Sequence, residues 1–203
     1  MDSKIIQQGA EAVIKLVDGV IVKERIKKNY RFKDLDLRLR LRRTRGEEKI
    51  IDKLRGVIDV PLILDVDKFV IKMEYIDGLK LSDCLEKLDW IKICKKIGFM
   101  IGRMHNAGIV HGDLTTSNMI FVKNCDERIY FIDFGLGFYS NKVEDKAVDL
   151  HLLKQALNAK HYEIAEEGFE KVLEGYLNIG EEMDEMKKVV DRLKIVGGRG
   201  RYK

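Results

Sequence analysis

The chain has a single proline, three cysteines and one tryptophan among its 203 residues, and no long apolar run. Each shortage excludes something. Cys84, Cys94 and Cys125 are odd in number, widely spaced and in no C-x-x-C pairing. That pattern argues against a disulfide framework and against a zinc knuckle, and it makes a reducing cytoplasm the expected compartment. No apolar stretch approaches the roughly 18 residues that a membrane span needs, and the opening Met-Asp-Ser-Lys-Ile-Ile lacks the basic-then-apolar order of a signal peptide. No membrane partner is expected. Heavy use of Lys, Glu and Ile suggests a hot habitat, although the lone proline points the other way.

Net charge is a mild +4, but its distribution is uneven. Residues 25–45 hold ten Lys/Arg with Asp34 and Asp36 among them, and residues 187–203 hold seven against Asp191. The length suits one ordinary domain, or two small lobes sharing a cleft, with enough chain to bury a core.

The first third reads as short strands: Ile5-Ile6, then residues 12–17 and 20–23 joined by Asp18-Gly19, a strong hairpin signal. Residues 34–54 are ambiguous. Leu35, Leu37, Leu39 and Leu41 alternate as in a strand, whereas Ile50, Ile51 and Leu54 step as in a helix. Residues 60–64 and 69–73 read as two further strands around an Asp65-Val66-Asp67 turn, and Asp77-Gly78 breaks the pattern. Beyond it Trp90, Cys94, Ile97, Ile101 and Met104 recur at helical spacing behind Asp89, a natural cap. Two apolar runs follow, 119–122 and 129–132, around a polar turn at Asn124-Cys125-Asp126, and three helical segments fill residues 145–196. Strands first and mostly helices later predict an α+β fold with its lobe boundary near residues 76–79.

The informative chemistry lies in His111-Gly112-Asp113-Leu114-Thr115-Thr116-Ser117-Asn118, with Asp133-Phe134-Gly135 beginning fifteen residues after Asn118. Phosphoryl transfer needs a carboxylate to hold or deprotonate the attacking hydroxyl, and oxygen ligands that fix magnesium on the phosphates. A loop with Asp113 and Asn118 five apart can aim the first at the nucleophile and the second at metal. Asp133, after the next apolar strand, can chelate the metal from the opposite side. A bare D-F-G marks no more than a turn, but behind H-x-D-x-x-x-x-N the pair resembles the catalytic loop and metal-binding motif of the protein-kinase fold.

That resemblance implies a two-lobed kinase-like fold: a small β-rich N-lobe over about residues 1–76, a reduced helical C-lobe over about 77–196, and a flexible basic tail over about 197–203. It implies ATP and magnesium as cofactors. Lys23 would be the phosphate-binding lysine and Glu47 its partner, although Glu48 is adjacent. Gln8, Gly9, Ala10, Glu11 and Ala12 would form a phosphate loop with one glycine where the usual pattern has three. Backbone groups of Glu74 and Ile76 would hold adenine. Asp113 would be catalytic, and Asn118 and Asp133 would bind metal. His105 reads as a packed histidine, His111 as a loop brace, and Asp149 resembles the buried aspartate that props the catalytic loop.

The departures narrow the type. Gly112 stands where an arginine usually precedes the catalytic aspartate, which removes the cation for an activation-loop phosphate. Thirteen residues separate Gly135 from Asp149, and there is no A-P-E, so the platform for a peptide substrate is nearly absent. From end to end the chain resembles the PRPK-type atypical kinases, the small kinase subunit of the KEOPS (EKC) complex. The matching strings include Val22-Lys23-Glu24-Arg25, the unbroken residues 111–118, and Glu144-Asp145-Lys146-Ala147-Val148-Asp149-Leu150. The resemblance implies a cytoplasmic kinase or ATPase that partners a TsaD-like threonylcarbamoyl transferase, to which it is fused in some archaea. Other KEOPS subunits and tRNA complete the implied assembly, which supports threonylcarbamoyladenosine formation. The basic blocks would then meet tRNA phosphates, with Arg199, Arg201 and Lys203 as the tail's contacts. Two other readings stand beside this one: a nucleotide-sensing scaffold with little catalysis, and a small-molecule phosphotransferase of the aminoglycoside type.

Overall fold

A computed structural model describes residues 3–123, 127–180 and 183–199. The Asn124-Cys125-Asp126 turn lies outside them. Strands β1 (Ser3–Gln8), β2 (Ala12–Val17) and β3 (Val20–Arg25) form an antiparallel meander. The two-residue Asp18-Gly19 loop sets Val17 opposite Val20, as the hairpin signal predicts. After helix α1 (Lys33–Leu54), strands β4 (Ile63–Asp67) and β5 (Val70–Glu74) complete a five-stranded sheet of order β1-β2-β3-β5-β4.

The chain leaves this sheet at Glu74 and enters a second one at β6 (Leu79–Lys80), which pairs with β8 (Met119–Val122) and, through it, β9 (Arg128–Phe131). Between them lie the short α2 (Leu81–Cys84), α3 (Trp90–Asn106) and β7 (Ile109–Val110); Asp89 caps α3 by accepting from Lys92 N. Strand β10 (Phe138–Tyr139) pairs back onto β7, and α4 (Val143–Lys160), α5 (Ala165–Leu177) and α6 (Met183–Arg199) follow. The result is α+β: a sheet lobe carrying α1, above a mostly helical lobe.

Most of the core belongs to the helical lobe, where Ile97, Ile101 and Met104 of α3 meet Leu150, Leu153 and Phe169. The backbones of α3 and α5 touch closely, since a Cβ on Gly98 would lie 1.9 Å from the carbonyl oxygen of Val172. Cys84 and Cys94 are free and buried, and burial pushes the Cys94 thiol up to about 12. Among the described residues no helix is long and apolar enough to cross a membrane.

Three expectations need correction. The Leu/Arg alternation over residues 35–41 is not a strand: α1 is one helix of 22 residues from Lys33. It leaves Leu35 and Leu37 exposed, and it buries Asp36, whose carboxylate pairs with Arg40 one turn on at 2.7 Å. The turn expected at residues 65–67 falls instead at Lys68-Phe69, because β4 runs on to Asp67, with a register irregularity between Ile63 and Asp65. The first residues of the tail expected from residue 197 are helical, and the rest lie outside the described residues. α6 continues to Arg199, carried by an apolar stripe through Met186, Val189 and Leu193 that packs into the core.

Candidate active site

Alternation in β3 turns Lys23 and Arg25 to one face, and both side chains are buried, each 5 % exposed. α1 crosses that face and brings Glu47, 1 % exposed, against them. Lys23 Nζ donates to Glu47 Oε1 at 2.6 Å and to Asp133 Oδ1 at 2.8 Å. Arg25 Nη2 donates to Glu47 Oε2 at 2.5 Å. Adjacent Glu48 does not enter the cluster. Burial presses the Lys23 ammonium toward neutrality, but the carboxylates of Glu47 and Asp133 outweigh it and hold its pKa above the ordinary value. For Asp133, burial would raise the carboxyl, yet the charge and hydrogen bond of Lys23 prevail and lower it. A cation and an anion therefore face each other at the inner end of a cleft.

Asp133 is held at φ 62°, a left-handed conformation that aspartate tolerates better than most residues and that often marks functional sites. Its carboxylate keeps 43 % exposure, while Phe134 beside it is buried and anchors the motif. In the loop over residues 111–118, Asn118 Nδ2 donates to the Asp113 carbonyl at 2.8 Å and to Asp113 Oδ2 at 3.0 Å. The amide nitrogen is thus committed, and its oxygen remains as the atom able to ligate metal.

The loop is braced from behind. Asp149 Oδ2 and Oδ1 accept the backbone N–H groups of His111 and Gly112, both at 2.9 Å. Buried His105 bridges Asp149 Oδ2 at 3.1 Å and the Tyr176 hydroxyl at 2.9 Å. Burial alone would raise the Asp149 carboxyl, but the hydrogen bond and charge of His105 and the donors from the loop hold it below the usual range. Gly112 sits at φ 79°, and a Cβ there would lie 2.4 Å from the Leu136 carbonyl oxygen. An arginine at this position is therefore excluded by the backbone itself.

His111 accepts from Asp113 N at 3.3 Å through Nδ1 and donates from Nε2 to the Ile132 carbonyl at 3.1 Å. These contacts suit a neutral ring, and burial holds its pKa below the ordinary histidine value despite the neighbouring Asp149. The sign follows by linkage: below about pH 6.5 the unfolded chain takes up a proton that folded His111 refuses, so stability falls as pH drops. Asp149, lowered in the fold, contributes stability above about pH 3.9 that is lost as pH falls further, through its folded value. We expect the melting temperature to decline in these two stages. His111→Gln, measured over the same pH series, should flatten the first by up to about 1.4 kcal/mol per pH unit; an unchanged slope would contradict the assignment.

A cavity of about 430 Å³ opens between the large sheet and the β8–β9 hairpin. Ile21, Met73, Ile76, Ile120 and Ile132 line it, together with Lys23, Asn118 and Asp133. It is a slot with apolar walls and a polar inner end. A second hollow of about 390 Å³ shares Lys23 and Asp133 and is lined by Gly9, Ala10, Glu11, Ala12 and Asp113. The two hollows join where Lys23 meets Asp133. Where β5 ends beside the slot, the Glu74 N–H donates to the Leu62 carbonyl at 2.9 Å and the Glu74 carboxylate accepts from Leu62 N at 3.1 Å.

Strand β1 turns Gln7, not Gln8, into the cleft, a choice that pleat alternation alone could have flagged. The Glu11 carboxylate is engaged by two arginines. It accepts from Arg31 Nη2 at 2.8 Å and pairs with Arg43 Nη1 at 2.8 Å, tying the loop to α1. The hydrogen bond from Arg31 holds that carboxyl below its ordinary value. Arg25 and Arg43 also line the second hollow, and sequence alone did not single them out. Arg201, Lys203 and the side chain of Arg199 lie outside the described residues.

The RIO domain family model matches residues 14–142. The chain is 44 % identical to the KEOPS complex subunit Bud32 of Pyrococcus abyssi, over 98 % of this chain and 96 % of that one. It is 42 % identical to a probable serine/threonine-protein kinase BUD32 homolog of Archaeoglobus fulgidus, over 96 % and 94 %. A probable bifunctional tRNA threonylcarbamoyladenosine biosynthesis protein of Methanothermobacter thermautotrophicus is 41 % identical over 98 % of this chain, which spans 36 % of that longer protein. Among solved structures, the Rio2 kinase-ADP/Mg2+-phosphoaspartate complex of Chaetomium thermophilum superposes with a TM-score of 0.66 at 14 % identity, over 98 % of this chain and 71 % of that one. That likeness speaks to the fold, and it agrees with the two-lobed arrangement reached from the strands and helices. By match to the domain and by near-full-length identity, the chain belongs to the RIO-domain family, among its Bud32 relatives.

Proposed function

We propose that the chain is an ATP- and magnesium-dependent phosphotransferase of the atypical serine/threonine-kinase type, or an ATPase, acting as the kinase subunit of a KEOPS complex that supports threonylcarbamoyladenosine formation in tRNA. One observation carries the chemical part. Lys23 and Glu47 from the sheet lobe converge with Asp133 from the helical lobe at 2.6 and 2.8 Å, at the inner end of a nucleotide-sized slot and beside the Asp113–Asn118 loop.

The residues fit magnesium bound with a nucleotide. Among the described residues no group of three or more His, Cys, Asp or Glu could hold a metal by itself. A hard cation that keeps most of its ligands from phosphates and water needs only Asp133 and the Asn118 oxygen from the protein. Held by those two side chains, such a cation would supply charge neutralisation for the transferred phosphoryl group. Lys23, which now meets Asp133 at 2.8 Å, would turn that N–H to the phosphates. Gly9, Ala10 and Ala12 offer backbone around the phosphate end, with Gln8 and Glu11 shaping the loop from outside. The Glu74 carbonyl and the Ile76 N–H serve adenine. Asp113 receives or orients the hydroxyl proton of the acceptor, and the Asn118 amide holds Asp113 in place.

The partner reading draws on the relatives' names. A TsaD-like transferase, fused or separate, and other KEOPS subunits would share the cytoplasm with this chain. tRNA would be reached through the complex, with Arg199, Arg201 and Lys203 as contacts. Part of the first basic block is spent inside the fold, since Arg40 pairs with Asp36 and Arg43 with Glu11, while Arg38, Arg42 and Arg45 stay exposed. ATP turnover measured on the chain alone, then with the transferase partner and tRNA, tests the assignment. Magnesium-dependent turnover that responds to the partner is expected. ATP binding with no turnover in any mixture would favour the nucleotide-sensing scaffold.

A further inference from the structure

Arg25 is the one buried cation of the cleft that the phosphotransferase reading leaves without a task. Strand β3 repeats every two residues with a rise of about 6.7 Å, and α1 repeats every four with a rise of about 6 Å. The two periods nearly match, so Lys23 and Arg25 on the strand meet Glu47 and Arg43 on the helix as a short ladder. Lys23 takes one oxygen of Glu47 and Arg25 the other, and Arg25 Nη2 also reaches the Arg43 carbonyl at 3.4 Å, one turn up the same helix. The same Nη2 abuts the D-F-G turn, because a Cβ on Gly135 would lie 3.1 Å from it. Arg25 Nε is buried with no hydrogen-bond partner, so the side chain is fixed through Nη2 rather than by full satisfaction.

We infer that Arg25 is a positioning residue: it, rather than Lys23, holds α1 and Glu47 against β3, which leaves Lys23 free to exchange Asp133 for nucleotide phosphates without releasing the helix. A lysine whose ammonium must follow a moving phosphate is the poorer clamp, whereas a rigid guanidinium whose Nη2 reaches two levels of α1 can hold the helix. Glu47 stays compensated by Arg25 whichever way Lys23 turns, so no charge is left alone in the interior during the exchange. α1 is therefore engaged in the free protein as well as in the loaded one.

What this positioning serves rests on the phosphotransferase reading, but the test separates the two. Hydrogen exchange of the α1 amides over residues 44–54 is compared in wild type, Lys23→Met, Arg25→Gln and Arg25→Lys, together with kcat and KM for ATP at saturating magnesium. Lys23→Met should abolish turnover and leave α1 protection within about twofold of wild type. Arg25→Gln should speed α1 exchange by tenfold or more and lower kcat/KM by about tenfold, and Arg25→Lys should recover part of both. If Arg25→Gln does not fold, Arg25→Lys carries the comparison and should exchange faster than Lys23→Met. Equal loosening by Lys23→Met and the Arg25 variants, or wild-type exchange in Arg25→Gln, would overturn the inference. Failure of wild type itself to bind or turn over ATP would instead overturn the phosphotransferase reading, with the exchange data still judging Arg25.

Discussion

Asp133→Asn should remove magnesium-dependent ATP turnover almost entirely while leaving the fold intact. The substitution keeps the shape, and asparagine tolerates the left-handed φ of 62° that position 133 requires. It removes the charge that a magnesium ion needs on the D-F-G side and that Lys23 now meets at 2.8 Å. A metal that neutralises phosphoryl charge contributes several kcal/mol to the transition state, and losing about 4 kcal/mol of it slows the reaction by ~10³-fold. Lys23 retains Glu47 at 2.6 Å, so the melting temperature should change little. Steady-state turnover and a thermal melt on the same preparation check both halves. Wild-type turnover in Asp133→Asn would place the metal elsewhere.

Asp113→Asn is expected to slow turnover by about 10²-fold or more with little change in the KM for ATP. Asp113 lines the second hollow and not the apolar slot, so in the proposed reading its carboxylate would face the acceptor's hydroxyl rather than the nucleotide's base. The Asn118 amide that now donates to Asp113 at 3.0 Å would still find an oxygen on the new side chain, which keeps the loop in shape. The loss then reports proton handling rather than collapse. A variant with wild-type kcat would mean that Asp113 holds structure only, and the scaffold reading would gain.

Much of this site is legible in the sequence because its parts are local. His111 to Asn118 is a continuous string, Asp133-Phe134-Gly135 follows one hairpin later, and Asp149 falls on the next helix. Lys23 and Glu47 could be matched by order alone. What escaped depends on contacts between distant segments. Arg25 and Arg43 look like members of a basic block until β3 and α1 are laid together, whereupon one clamps Glu47 and the other Glu11. Glu11 stays in its loop, but its carboxylate is taken by Arg31 and Arg43, a pairing that only the fold reveals. The Leu/Arg alternation at the start of α1 mimics a pleat because the exposed turn of the helix carries leucines that no core residue covers. Gly112 is the instructive middle case. Its sequence shows only a missing arginine, whereas its backbone at φ 79° against Leu136 shows why none could be there.

The central claim is that Lys23, Asp133 and Asn118 form one site for a nucleotide and its metal, and calorimetric titration of ATP with and without magnesium tests it most directly. Wild type should bind ATP more tightly with magnesium than without it, and Asp133→Asn should lose that dependence while Lys23→Met loses most of the affinity. Binding that is equal with and without magnesium and indifferent to both substitutions, or no binding at all, would contradict it.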